Sequence, residues 1–470
     1  IPPRALERAL DQHERTFGPR PQGLTAGPDA PFGPSQWTFL GPSPIATNLT
    51  NSGRVNSIVV DPSNTNVIYI GAATGGVWKS TTGGASWTPL TDGQCSLAMG
   101  SIALNPTNTQ IVYAGTGEEN FSGDSYYGCG VLKSTDGGAS WTRTGASVFA
   151  TTTGGASIGK VAVHPTSTST LMVASTFGVH RSLDAGGSYT QTLTGTATDV
   201  AIHPTTPNVM YAAVGAIFGA AANGVYKSVD TGASWTKVAG GFPTASVGRI
   251  QIAVAPSAPS TIYAAVSSTG LSLLGIWKST DDGATWTQLT ATGASCASQC
   301  WYDMNISVDP TNANIVYFSG FSLYKSTDGG STFTDIGTSI HVDHHALAFM
   351  PGAPTTVFAG SDGGVFKSTN GGASWTSLNP GLGITQFYPG LALHPSNASI
   401  YMGGTQDNGT LTTSGAQAWT LTIGGDGGFA AIDFSNPAIA YGETQWSASS
   451  GFSGPRKSTT FGTTNSFSLA

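Results

Sequence analysis

The stretches VWKSTTGGASW (77–87), VLKSTDGGASW (131–141), VHRSLDAGGSY (179–189), VYKSVDTGASW (225–235), IWKSTDDGATW (276–286), LYKSTDGGSTF (323–333) and VFKSTNGGASW (365–375) repeat one pattern. Weaker copies follow at LTTSGAQAW (411–419) and RKSTTFGTTNSF (456–467). The period of roughly 35–47 residues is that of an array of small sheets, each too small to bury its faces alone. Within residues 54–90 the unit reads as four strands: RVNSIVV, NVIYIGA, GVWKS and WTPL. A proline closes the first strand in every unit, at Pro62, Pro106, Pro165, Pro204, Pro256, Pro310, Pro351, Pro395 and Pro437. Proline cannot continue a ladder, so it marks the hairpin. The expected fold is all-β, a β-propeller of four-stranded antiparallel blades. Nine units favour a single ring of eight or nine blades; a seven-blade ring plus part of a second is the alternative. QWTFLGP (36–42) looks like an extra outer strand that closes the ring against the last blade, which removes free sheet edges. Residues 1–35 are expected to be a lead segment or propeptide remnant, and 36–470 the propeller.

The pattern Ser-x-Asp-x-Gly-x-Thr/Ser-Trp resembles the Asp-box of sialidases, sortilin-type receptors and two-propeller xyloglucan hydrolases. Asp136, Asp184, Asp230, Asp281 and Asp328 hold its acidic position, and Thr82, Asn370, Ser414 and Thr460 replace it. The local physics is that of a turn. The carboxylate accepts backbone N–H groups, glycine takes the left-handed position, and Trp packs between blades. The motif therefore speaks for the fold and hardly for function.

Composition narrows the function. Charged residues make up only 9% of the chain, against about 25% in an average globular protein. The formal net charge of −7 leaves no basic stripe for a phosphate backbone, so nucleic acid is not an expected partner. No apolar run approaches the roughly 20 residues of a membrane helix. Cys95, Cys129, Cys296 and Cys300 are even in number and are expected to pair as Cys95–Cys129 and Cys296–Cys300, in a secreted or extracellular protein. The chain opens as a processed form would, without a leader.

With so few charges, the placement of the acids is informative. Outside the repeated turns, most acids fall in two loop classes. Glu118, Glu119, Asp124, Asp362, Asp407 and Glu443 lie between strands two and three; Asp92, Asp303, Asp343 and Asp426 lie in loops leading into strand one. Aromatics join them, including Tyr126, Trp301, Tyr302, Phe387, Tyr388 and Trp446. Seven residues before the repeated proline stand Val55, Met99, Arg249, Asp303, His344 and Tyr388, and the last four are expected to line one arc of a channel mouth. Carboxylates beside aromatics suit sugars: rings stack on pyranose faces, acids bond hydroxyls, and a carboxylate pair can cleave a glycosidic bond.

The catalytic candidates are therefore Asp303, Asp343, Asp362, Asp407 and Asp426. The ligand-binding candidates are Glu118, Arg249, Tyr302, His344, Tyr388 and Trp446. No cofactor is required by this chemistry, and no specific metal spacing occurs; oxygen ligands around HVDHH (341–345) would favour Ca2+. The resemblance to xyloglucan hydrolases implies an acid in the first blade, yet the matching segment Ala73-Thr74-Gly75-Gly76 has none. A sialidase arginine triad is not expected, because of Arg54, Arg143, Arg181, Arg249 and Arg456 only Arg54 and Arg249 are placed for the channel face. Two readings remain: a secreted glycan-directed protein resembling glycoside hydrolases, or a non-catalytic protein-interaction or surface-assembly propeller.

Overall fold

The computed structural model describes residues 38–150, 154–444, 455–461 and 467–469. These residues fold almost entirely as β-sheet, and each of the nine sequence units has its own sheet. In the first unit the strands are Val55–Val60, Ile68–Ala72, Gly76–Ser80 and Thr88–Pro89, antiparallel in chain order. The proline of each unit falls in the turn after the innermost strand, where a missing N–H costs nothing.

The chain divides into two compact units, one spanning Gly53–Ile384 and a smaller one built from the described residues up to Ser52 and from Thr385 onward. The larger unit holds seven sheets. Their innermost strands pack in succession, and that of the seventh, His344–Met350, packs on that of the first, Val55–Val60. One hydrophobic cluster joins Val55, Ile70 and Trp78 of the first sheet to Phe358 and Val365 of the seventh. The cycle of contacts thus closes after seven sheets; the repeat count favoured a single ring of eight or nine, with a seven-blade ring plus part of a second as the alternative. The seven strong copies of the motif are the seven sheets of this unit; the two weak copies belong to the smaller one.

Neighbouring sheets of the larger unit are latched by a recurrent pair. Tyr69 and Lys79 of the first sheet both donate to the carbonyl of Gly137 in the second. Tyr113 and Lys133 reach Ala185, Tyr211 and Lys227 reach Asp282, and Tyr317 and Lys325 reach Gly371 in the same way. Each lysine also lies over its tyrosine ring, 5.1 Å from the centroid for Lys79, a cation–π contact. The accepting carbonyl belongs to the left-handed corner of the repeated turn, where φ is +68° at Gly137 and +69° at Gly371. The turn itself is tied by its acid: Asp136 accepts from the Ser134 hydroxyl and from the Ser140 amide and hydroxyl. Those bonds hold Asp136 at a pKa of about 2. Trp87, Trp235 and Trp375 donate their indole N–H groups to the adjacent sheet.

In the smaller unit the sheet of Ala392–Leu393, Ile400–Thr405, Gly409–Ser414 and Trp419–Ile423 gains a fifth strand, Ile45–Ala46. That strand runs parallel to Trp419–Ile423. It corrects two expectations about the extra strand: the added residues lie beyond QWTFLGP, and they join the eighth unit's sheet, not the last. Pro42 and Pro44 remove the donors a ladder needs just before it. The last sheet is Gly427–Ile432, Ala440–Thr444, Arg456–Ser458 and Ser468–Leu469. The proposed lead segment 1–35 and Trp446 lie outside the described residues.

Both expected disulfides form, Cys95–Cys129 and Cys296–Cys300, and no cysteine is free. Among the described residues no helix is long and apolar enough to cross a membrane.

Candidate functional site

The candidate residues fall into two groups, one in each unit. In the larger unit Arg54 is buried at the heart of a polar knot. Its guanidinium meets Glu118 at 2.7 Å and 3.1 Å, lies 3.7 Å from Asp124 and 3.8 Å from Asp362, and donates to the Tyr302 hydroxyl. The Tyr302 hydroxyl donates to Asp362 at 2.5 Å, and His345 Nε2 bonds the other Asp362 oxygen at 2.8 Å. Burial disfavours charge on Asp362, but His345, Arg54 and the two hydrogen bonds outweigh it and hold the acid well below the usual carboxylate range. Burial pushes Glu118 up despite Arg54.

Asp303 is the opposite case. Burial, reinforced by the charge of Asp362, pushes it well above the normal range. Gln299 bridges it to Asp343, donating at 3.5 Å to Asp303 and 3.0 Å to Asp343. Asp343 and Asp362 are linked through the backbone at 3.1 Å, with carboxylate oxygens within 4.8 Å of each other. One acid kept ionised beside one kept protonated is the arrangement that acid–base chemistry uses. All three acids are nevertheless buried, 0–7% exposed.

Arg249 is also buried and donates to the carbonyls of Trp301 and Tyr302. His344 packs inside the sheets. It is fully buried, neither ring nitrogen has a hydrogen-bond partner, and burial, with His341 and His345, brings its pKa to about 3. Its neighbour His345 enters the knot instead. The reason is a register shift in the innermost strand of six of the seven sheets. A bulge inserts one residue and reverses which side chains face inward. Counting back seven from the proline therefore lands on packing residues such as Val55 and Met99. Residues five and six before it line one cavity: Asn56 and Ser57, Lys160, Thr198, Asn305 and His345. Lys160 and the place of His345 were missed for this reason, although the recurring proline carries the signal once the bulge is allowed for.

In the smaller unit the acids are less deeply buried. Asp407 and Asp426 are both half-buried, and the Asp407 amide donates to Asp426 Oδ1 at 2.7 Å. Asp407 sits at φ +55°, a costly conformation for a residue with a side chain. Gly424 and Gly425 beside Asp426 face open space. Glu443 Oε2 accepts from the amide of Phe429 at 3.4 Å, and the Phe429 ring is 64% exposed. The segment carrying Phe387 and Tyr388 runs along the same sheet, with the Tyr388 amide on the Gly404 carbonyl at 2.9 Å and Gly390 against Phe429. Asp407, Asp426, Glu443, Tyr388 and Phe429 are thus gathered on adjacent segments of one unit.

No protein-family model matches the chain. It is 29% identical over 211 residues to a xyloglucanase of Hypocrea jecorina (strain QM6a), covering 37% of this chain and 25% of that protein. A xyloglucanase of Paenibacillus sp is 25% identical over 218 residues, covering 39% and 20%. The chain thus spans about a quarter or less of the length of these relatives. Among solved structures, a GH74 enzyme from Niastella koreensis matches with a TM-score of 0.66 at 21% identity, covering 91% of this chain and 67% of that one. The GH74 xyloglucanase of Xanthomonas campestris matches at 0.61 and 16%, covering 91% and 74%. The β-propeller architecture of these enzymes is the fold this chain shares.

Proposed function

We propose that this chain is a secreted, glycan-directed protein of the glycoside-hydrolase type, in which a seven-blade propeller accompanies blades of a second. Its substrate class is an extracellular β-glucan of the xyloglucan kind, on which the similar enzymes act by name. The observation that carries this reading is the Asp407–Asp426 pair of the smaller unit, half-open, locked by a 2.7 Å bond and gathered with Glu443, Tyr388 and the exposed Phe429 ring. Partly solvated acids can accept hydroxyls or move a proton, while the rings offer apolar faces to pyranoses. In this reading Asp407 and Asp426 act on the sugar, and Asp303, Asp343 and Asp362 support the fold and the local field.

A recognition role without cleavage has one observation in its favour: the segment Ala73-Thr74-Gly75-Gly76 carries no acid where the resemblance to xyloglucan hydrolases implies one. The same experiment separates the two. Xyloglucan, mixed-linkage glucan and bacterial polysaccharides are incubated with the protein, and both new reducing ends and retention on the polymer are measured. Cleavage lost in Asp407→Asn or Asp426→Asn supports the hydrolase; retention without cleavage supports recognition; neither contradicts the glycan assignment, which fails if no polymer is bound or cut.

A further inference from the structure

The fifth and ninth sheets share one device. In each, two residues of the innermost strand bulge out opposite one of the second strand: Gly248 and Arg249 in the fifth, Gly428 and Phe429 in the ninth. Such a bulge takes an amide out of the ladder and re-aims the side chain that follows it. The amides of Arg249 and Phe429 are each accepted by a side chain at the same place in the register of the second strand. The acceptor is the Ser267 hydroxyl at 2.7 Å in the fifth sheet and Glu443 Oε2 at 3.4 Å in the ninth.

The comparison separates what the fold needs from what it does not. A serine hydroxyl, fully buried, satisfies the freed amide at an ordinary distance. Glu443 is half-buried and reaches the amide only at the long end of the hydrogen-bond range. Its other oxygen, Oε1, makes no hydrogen bond among the described residues. The bulged side chains differ in the same sense: Arg249 is buried on two carbonyls, while the Phe429 ring is 64% exposed. That ring is held in place. A Cβ on Gly390 would stand 2.7 Å from it, and the adjoining Ala430 amide donates to the Gly390 carbonyl at 3.2 Å. The bulge also lies against the strand end that leads into Asp407, since a Cβ on Gly404 would stand 2.0 Å from the Gly428 carbonyl. A lone exposed aromatic is ordinary on a protein surface; one fixed beside a carboxylate with an uncommitted oxygen offers two complementary groups at once.

We propose that Phe429 and Glu443 form one subsite for a neutral pyranose ring, whose apolar face lies on Phe429 and whose hydroxyl donates to Glu443 Oε1. The proposal rests on the glycan reading of the smaller unit and gives that reading a binding residue which the fold of the repeat does not require. Stacking supplies the apolar contact and the carboxylate a charge-assisted hydrogen bond. The two are coupled, because a sugar resting on the ring already has its hydroxyl placed at the carboxylate.

The test is titration calorimetry of a xyloglucan oligosaccharide into the full chain, with melting curves in parallel. Glu443→Ser leaves the Phe429 amide the kind of acceptor that the fifth sheet uses, so it should melt as the wild type does and bind about tenfold more weakly. Glu443→Gln keeps an acceptor within reach and should stay within about threefold of the wild type. Glu443→Ser combined with Phe429→Ala should lose about twentyfold, short of the roughly hundredfold of two independent losses. Wild-type affinity in a folded Glu443→Ser overturns the subsite alone, as do losses that multiply in the double variant. A wild type that binds no xyloglucan oligosaccharide overturns the glycan reading and the subsite with it. If Glu443→Ser does not fold, crystals of the wild type with the oligosaccharide decide. A pyranose over Phe429 within hydrogen-bond reach of Glu443 supports the subsite, and a sugar bound only elsewhere overturns it.

Discussion

Carboxylates in the two units live under opposite conditions. In the larger unit Asp362 is fully buried and held by Tyr302, His345 and Arg54. In the smaller unit Asp407 and Asp426 are half-open and joined through a backbone amide. A buried acid held by so many partners has little freedom to engage a polymer, and removing one partner leaves a charge stranded. A half-buried acid on a strained turn costs the fold less to change. The contrast assigns stability to one group and recognition to the other, although both derive from the same loop classes of the same repeat.

The largest effect expected from breaking this contrast is on the knot. Arg54→Met strands Glu118 and Asp362 and should destabilise the larger unit by about 3–5 kcal/mol, read as a lower urea midpoint. Asp407→Asn and Asp426→Asn should shift stability by no more than about 0.5 kcal/mol while lowering glycan cleavage or affinity at least tenfold. A large stability loss from either Asn variant, or none from Arg54→Met, would reverse the assignment.

Acid titration sharpens the same distinction. The folded pKa of Asp362 is depressed, so its contribution is fully present above the unfolded value of about 3.9 and is lost as pH falls below it toward the folded value. Asp303 and Glu119 have raised folded values, so each favours the fold at low pH and opposes it as pH climbs past the unfolded value. The chain should therefore gain neutral-pH stability from Glu119→Gln and lose part of the downward slope above pH 4. A stability profile unchanged by that substitution would contradict the burial cost on Glu119.

Smaller effects test the recognition side. Tyr388→Ala and Phe429→Ala should each weaken glycan binding by about tenfold, the worth of one stacking ring of roughly 1–1.5 kcal/mol, with unchanged melting. The smallest effect is expected at His344, whose ring nitrogens bond nothing. His344→Leu should alter neither glycan affinity nor, by more than about 1 kcal/mol, stability.

The repeat made the sheets legible before any coordinates, because the turn Ser134-Thr135-Asp136-Gly137-Gly138 and the strand-closing prolines are local devices with local causes. The disulfides were equally legible. The division between units was left open between a single ring of eight or nine blades and a seven-blade ring plus part of a second, since ring closure depends on how Val55 meets Phe358, a contact that no spacing encodes. At the site, sequence brought forward Glu118, Arg249, Asp303, Tyr302 and Asp362 but preferred His344 to His345. The difference has one cause: the bulge between His344 and Ala346 reverses inward and outward, and alternation read without it points to the other ring. Sequence also could not tell buried acids from open ones, because burial is set by neighbouring sheets.

The most direct measurement is the release of reducing ends from xyloglucan by the wild type, Asp426→Asn and Asp362→Asn, each normalised to the folded fraction at the same pH. The account predicts turnover or binding that collapses in Asp426→Asn, with Asp362→Asn impaired chiefly through its lower melting temperature. Full activity in Asp426→Asn, with activity lost in a well-folded Asp362→Asn, would contradict it.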